Sequence, residues 1–351
     1  AVEDSGCKAD NCGFIPSPAV FYYGLIKDRA NIMVTGSHIP ENMNGIKYAK
    51  KGSEVLKSDE KGMLEAVKQV RERIYNQSAD ESPFNEKGMF KEEILDGSVN
   101  IEAEKNYIDR YDIFSSKPLK GKKIVFYQHS AVGRDLDADM IEEFLGAEVI
   151  REDPSEEFIS IDTENVTDEN IAYFKRLVEK YPDLFAIVST DGDSDRPFVV
   201  DEKGNFIRGD VLGIVVAKYL GADFAAVPVT ANDAIEIEFN KHNIDLKLTK
   251  VGSPYVIVAM NEAILKGYEN VFGWEANGGF LIGTDIYLKG DIFKQGAALR
   301  PLPSRDALLP IICALLAASE DDTESLSGLF GKLPKRYADA GLIDYEGISK
   351  E

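Results

Sequence analysis

The chain has 351 residues, long enough for two or three domains, and 44% of them are hydrophobic, enough to build real cores. Its 61 acidic residues outnumber 40 basic ones, and the net charge of −21 argues against nucleic acid and anionic membrane as partners, whose phosphates it repels. Cys7, Cys12 and Cys313 match no zinc spacing and read as reduced thiols of a cytoplasmic protein.

Taken in order, residues 1–6 read as a helix end and 7–18 as a strand leaving it. The opening has no initiator Met, so the sequence reads as a fragment or as the ordered part of a longer chain, and no signal-peptide pattern is visible. Residues 31–34 form an apolar run that predicts a buried strand. It leads into 35–47, where Gly36, Pro40, Asn44 and Gly45 forbid regular structure. Ser37 is thus presented on a stiff turn, with His38 beside it and Lys47 closing the loop. A serine so placed is a candidate nucleophile or phosphate carrier, and an ordinary polar turn is the plain alternative.

Over 62–75, Met63, Leu64, Val67, Val70 and Ile74 share one helical face. Residues 76–105 are polar and read as a surface excursion. The character resets at 117–121. A strand at 124–127, a helix at 137–145 stopped by Gly146, and a strand at 148–150 follow. A helix capped by Thr167 or Asp168 carries Ile171, Phe174, Leu177 and Val178 inward and leads to a strand at 185–190. Such alternation predicts a parallel sheet with ligands at the carboxyl ends of its strands. There stand Asp191, Asp193 and Asp195, which repel one another unless a hard cation such as Mg²⁺ or Ca²⁺ sits between them. Arg196 adds a fork suited to phosphate. An EF-hand reading, with Glu202 as twelfth residue, fails because Arg196 stands where that loop needs Gly.

A hairpin at 198–207, a helix capped by Asp210, a strand at 225–229, a loop at 251–254 and a helix at 255–265 make a further α/β unit. It ends in 273–280, where Glu275 and Asn277 on a glycine-rich turn suit vicinal sugar hydroxyls, or merely close a hairpin. The apolar stretch 311–318 is too short to span a bilayer and predicts a buried helix, capped by Ser304 and bent or re-started at Pro310. His129 ends a strand and reads as structural or supporting, and His242 as solvent-exposed.

The three loops together resemble those of the α-D-phosphohexomutases, of the phosphomannomutase/phosphoglucomutase type. Residues 35–47 match the phosphoserine loop, 191–196 the metal loop, and 273–278, with one inserted Trp, the sugar loop. The resemblance implies α/β architecture: three similar units with mixed or parallel sheets around a central cleft. It divides the chain into a phosphoserine-loop domain at 1–115, incomplete at its start, a metal-binding domain at 116–208 and a sugar-binding domain at 209–330, with 331–351 a linker toward a missing fourth domain. It also implies a hexose phosphate mutase acting on mannose or glucose through a phosphoserine and a hexose 1,6-bisphosphate, which doubles as activator.

By that resemblance Ser37 carries the phosphate and joins Asp191, Asp193 and Asp195 around one Mg²⁺. Lys47 is the general acid/base, its pKa lowered by neighbouring positive charge. Arg196 faces the phosphate, and Gly252, Ser253, Glu275 and Asn277 bind the sugar, with His38 and His129 behind. Gly279 departs from the pattern, since many members have His there, and an early arginine loop is absent, which leaves the proton-transfer groups open. Phosphoglucosamine mutase, a non-catalytic sugar-phosphate-binding fragment, and an Asp-nucleophile phosphatase are the other readings.

Overall fold

Two apolar runs pair in parallel to make the centre of a five-stranded sheet. They are the strands Lys123–His129 and Leu184–Thr190, and every residue of the second is buried. The structure is a computed structural model and describes residues 2, 5–37, 43–92 and 97–337. Glu148–Pro154 extends the sheet in parallel on one side, while Pro197–Val200 and Phe206–Ile207 add antiparallel strands on the other. A strand apolar on both faces needs cover on both. Helix Asp168–Lys180 supplies part of it through Phe174 and Leu177, and Arg134–Met140, continued by a π-helical turn at Ile141–Leu145, supplies more. Thr167 caps the first of these helices in a reciprocal pair with Asn170, and Gly146, at φ 74°, stops the second.

A second five-stranded sheet repeats the theme. Its order is Asp245–Thr249, Phe224–Pro228, Val271–Trp274, Phe280–Ile282 and Leu302–Asp306, the first three parallel and the last two antiparallel. Helices Gly209–Tyr219 and Leu308–Glu320 pack together within its core. Ahead of both sheets lie helix Ser17–Ile26 and a small antiparallel sheet of Asn31–Thr35, Gly45–Lys50 and Ser53–Glu54. The first stretch is tied to the last: the hydroxyls of Tyr107, at 2.8 Å, and Tyr111, both on helix Glu102–Tyr111, donate to Asp306. Among the described residues, no helix is long and apolar enough to cross a membrane.

Several local expectations change. Residues 7–16 form no strand, and Ser17–Ile26 is a helix buried on all sides from Ser17 to Gly24. The strand at Asn31–Thr35 is half-buried, because Ile32 and Val34 face outward while Met33 packs inward. Helix Glu60–Tyr75 forms with its apolar stripe, yet buries no residue. Asp210 lies inside the first turn of its helix rather than capping it, and accepts from the backbone N–H of Val211 and Asn232. Ser304 belongs to a strand and its Oγ donates to Glu54, while Asp306 accepts from the Leu308 N–H at the helix start. Pro310 leaves helix Leu308–Glu320 unbroken because it falls in the first turn, where a missing N–H costs nothing.

Candidate active site

Asp191 is delivered by the carboxyl end of Leu184–Thr190 and shapes the loop that follows. Its Oδ1 accepts from the backbone N–H of Asp195 and Arg196, both at 3.1 Å. Its N–H in turn donates to the Arg196 carbonyl at 3.1 Å. With the loop closed, Asp191, Asp193 and Asp195 bring carboxylate oxygens within 4.8 Å of one another, all three residues buried. Asp193 is held from the chain's start, by the Ser17 hydroxyl at 2.5 Å on Oδ2 and the Ser17 N–H at 2.9 Å on the carbonyl.

Ser37 arrives from a distant point of the sequence. It sits at φ 44° just past the strand Asn31–Thr35, with its N–H on Thr35 Oγ1 at 2.8 Å. Its Oγ donates to Asp191 Oδ2 at 2.7 Å. Gly192 makes the approach feasible: a Cβ there would stand 2.5 Å from the Ser37 carbonyl oxygen. The chain thus sets a hydroxyl against a carboxylate cluster.

Among the described residues, three cations surround the cluster. The Lys47 ammonium bonds Asp193 Oδ2 and, at 2.5 Å, Asp195 Oδ2. Arg196 Nε lies 3.9 Å from Asp191 and 3.7 Å from Asp195. Arg305 reaches in from the strand Leu302–Asp306, with Nε 2.9 Å from Asp195 Oδ2 and an Nη 3.0 Å from Glu275 Oε2. These charges sort the carboxylates. Burial pushes Asp191 up, reinforced by Asp195 and Asp193. Burial would also raise Asp195, but Arg305, Lys47 and Arg196 outweigh it and hold that carboxyl well below the usual range. Burial pulls Lys47 down, and Asp195 and Asp193 outweigh that too, so its ammonium sits above its ordinary value. The expected lowering of Lys47 is therefore corrected: its nearest neighbours are carboxylates.

The donor set fits a hard divalent cation. It is oxygen only, and among the described residues Oδ1 of both Asp193 and Asp195 is buried with no hydrogen-bond partner, leaving lone pairs free to face a cation.

The sugar-loop residues lie alongside. Glu275 is buried and bonded to Arg305. Asn277 is buried, its Oδ1 accepts from the Gly279 N–H at 3.0 Å, and its carbonyl accepts from Thr163 Oγ1 at 3.1 Å. Trp274, the inserted residue, is core: its indole N–H donates to the Asp210 carbonyl at 3.1 Å and its ring stacks on Phe280. Gly252, at φ 117°, precedes helix Ser253–Leu265, and Ser253 Oγ donates to Glu54 at 2.8 Å. So Ser253 joins the site through Glu54, which Ser304 also binds.

His129 is fully buried, its Nε2 donating to the Thr190 carbonyl at 2.8 Å just ahead of Asp191. His242 is half-exposed beside Glu238. His38 lies outside the described residues. Ser17, Glu54 and Arg305 line, with Lys47, Asp195 and Ser304, a cleft of about 200 Å³. Sequence reasoning missed all of Ser17, Glu54 and Arg305. The only signal for Arg305 was a charged Ser304-Arg305-Asp306 stretch before an apolar helix, which also reads as a helix start.

Comparison with known proteins bears on the chain's family and fold. Residues 208–337 match the family described as phosphoglucomutase/phosphomannomutase, alpha/beta/alpha domain III, and residues 2–74 match its alpha/beta/alpha domain I. A phosphomannomutase of Salmonella muenchen is 38% identical over 339 residues, covering 96% of this chain and 64% of that protein. Another from Sinorhizobium fredii is 38% identical over 331 residues, covering 94% of this chain and 65% of its own. The chain thus spans just under two thirds of the length of these curated relatives. A solved phosphoglucomutase/phosphomannomutase family protein from Burkholderia thailandensis shares the fold, with TM-score 0.66 at 19% identity over 94% of this chain and 66% of that one. The fold is that of the α/β phosphosugar mutases. The chain belongs to the α-D-phosphohexomutase family, in its phosphoglucomutase/phosphomannomutase branch.

Proposed function

We propose that the protein interconverts hexose 6-phosphate and hexose 1-phosphate, with mannose or glucose as the sugar, through a phosphorylated Ser37. The observation that carries this reading is the Ser37 hydroxyl, 2.7 Å from Asp191 Oδ2 at the edge of a buried carboxylate triad. A phosphate on it would share a cation with those carboxylates.

In this reading Asp191, Asp193 and Asp195 hold one Mg²⁺, which when bound offsets charge on the transferring group. Lys47 and Arg196 face the same group as fixed cations. The sugar hydroxyl's oxygen forms a bond to phosphorus as the bond from phosphorus to Ser37 Oγ breaks, and the hydroxyl's proton ends on Oγ. The hexose 1,6-bisphosphate so formed turns over and returns its other phosphate to Ser37. That intermediate, added free, would recharge a dephosphorylated enzyme and act as activator. Glu275 and Asn277 bind sugar hydroxyls, Gly252 and Ser253 line the approach, and His129 steadies the carbonyl preceding Asp191. We assign 1–115 to the serine loop, 116–208 to the metal loop and 209–330 to the sugar loop as working units. The three free cysteines suit a reducing, cytoplasmic setting.

The test is peptide mass spectrometry of freshly purified full-length protein, with a coupled assay on mannose 1-phosphate, glucose 1-phosphate and glucosamine 1-phosphate. Phosphate on Ser37 is expected, with turnover of at least one of the first two sugars reduced to background in Ser37→Ala. Phosphate found only on an aspartate, or Ser37→Ala with full turnover, sinks the reading.

A further inference from the structure

Arg305 joins two loops that the sequence keeps far apart. Its Nε and one Nη lie 2.9 Å from Asp195 Oδ2, and its other Nη lies 3.0 Å from Glu275 Oε2. A planar guanidinium holds two carboxylates at a fixed spacing, which a lysine cannot. The side chain is only 16% exposed, so both contacts are shielded from water. Its base is rigid as well: the next residue, Asp306, accepts from Tyr107, Tyr111 and the Leu308 N–H. A third carboxylate, Glu54, adds its charge and is itself pinned by Ser253 and Ser304 hydroxyls, both at 2.8 Å.

The glycine-rich loop is cut to this side chain. A Cβ at position 279 would stand 2.5, 2.7 and 2.9 Å from Cδ, Cγ and Cβ of Arg305, closer than side-chain carbons approach. Only glycine leaves the guanidinium stem its path.

We propose that Arg305 is a positioning residue that holds the carboxylate loop at 191–196 and the sugar loop at 273–280 in one register, and that Gly279 is the space it requires. The substrate half of this inference rests on the mutase reading above. Arg305 acts through Asp195 and Glu275: the first sets where a cation and phosphoryl group sit, the second where sugar hydroxyls sit. Misalignment between them costs substrate recognition.

The two halves respond oppositely to loss of the guanidinium, and that separates positioning from mere folding. Arg305→Met removes a positive neighbour of the triad, so Mg²⁺, titrated calorimetrically into the dephosphorylated full-length protein, should bind about tenfold more tightly. The same variant should raise KM for hexose 1-phosphate by roughly tenfold or more, because Glu275 loses its partner. Arg305→Lys keeps the charge without the fork, so Mg²⁺ affinity should return to the wild-type value while KM stays high. Gly279→Ala, which leaves the charge in place but blocks the stem, should raise KM in the same way. Weaker Mg²⁺ binding in Arg305→Met, an unchanged KM there, or full KM recovery in Arg305→Lys overturns the proposal. If the wild-type protein turns over no hexose phosphate, the mutase reading falls, and the Mg²⁺ titrations alone then decide whether Arg305 bears on the triad.

Discussion

His129 shows how one buried side chain ties stability to acidity. Burial lowers its pKa to about 4, with a smaller opposing pull from its bond to the Thr190 carbonyl. In the unfolded chain it titrates near 6.5. Below about 6.5 the unfolded state binds the proton more readily, so the contribution of neutral His129 is complete above that pH and drains away as pH falls through about 4. The span is on the order of 3 kcal/mol. Denaturant melts of wild type and His129→Gln at intervals between pH 7 and 4 should show a steeper loss in the wild type. Parallel curves would mean that His129 accepts its proton inside the folded protein. At this scale the sequence was readable where chemistry is contiguous. Asp191, Asp193 and Asp195 announce themselves because one short loop holds all three. Arg305 does not, because its partners lie 110 and 30 residues away and only the fold brings them together.

Elements were legible when their pattern and their packing agreed. Leu184–Thr190 is apolar throughout and buried throughout. The strand Asp245–Thr249 went unread because its alternating Lys and Asp leave it mostly exposed at a sheet edge. The strand expected over 7–18 overlaps helix Ser17–Ile26 only at its first two residues; the rest of that helix went unread because its aromatic and branched residues favour strands, and tertiary packing overrode that preference. Packing also dictates residues that propensity disfavours. Gly213 lies inside helix Gly209–Tyr219, and a Cβ there would meet the Trp274 indole at 2.3 Å. In an exposed helix Gly→Ala is stabilising, by roughly 0.5–1 kcal/mol. Here Gly213→Ala should instead cost about 1–3 kcal/mol, from overpacking against a ring that has nowhere to go. Chemical denaturation reads the sign directly, and a stabilised variant would show that the helix shifts freely off the indole.

The whole molecule carries a net charge of −21 while its cleft collects Lys47, Arg196 and Arg305. On the mutase reading, an anionic sugar phosphate meets the net charge as repulsion at long range, and only at short range the fixed cations together with any metal the carboxylates hold. Added salt screens the distant repulsion first, because the Debye length shrinks from about 30 Å at 0.01 M to about 10 Å at 0.1 M. On the mutase reading, kcat/KM should therefore rise, by up to several-fold, as inert salt increases across that range. A steady fall from the lowest salt upward would mean that the local cations dominate the approach.

The Tyr107 and Tyr111 hydroxyls meet Asp306 across 199 and 195 residues of chain. On a ribosome adding roughly 5–20 residues each second, about 10–40 s separate synthesis of the tyrosines from that of their partner. During that wait helix Glu102–Tyr111 has its tyrosine faces turned toward a core not yet made, and Asp195, once made, waits a further 110 residues for the Arg305 guanidinium. Until residue 306 clears the exit tunnel, those tyrosines lack the partner they have in the fold. Synonymous codons that slow translation just before that point would lengthen that wait without altering one amino acid.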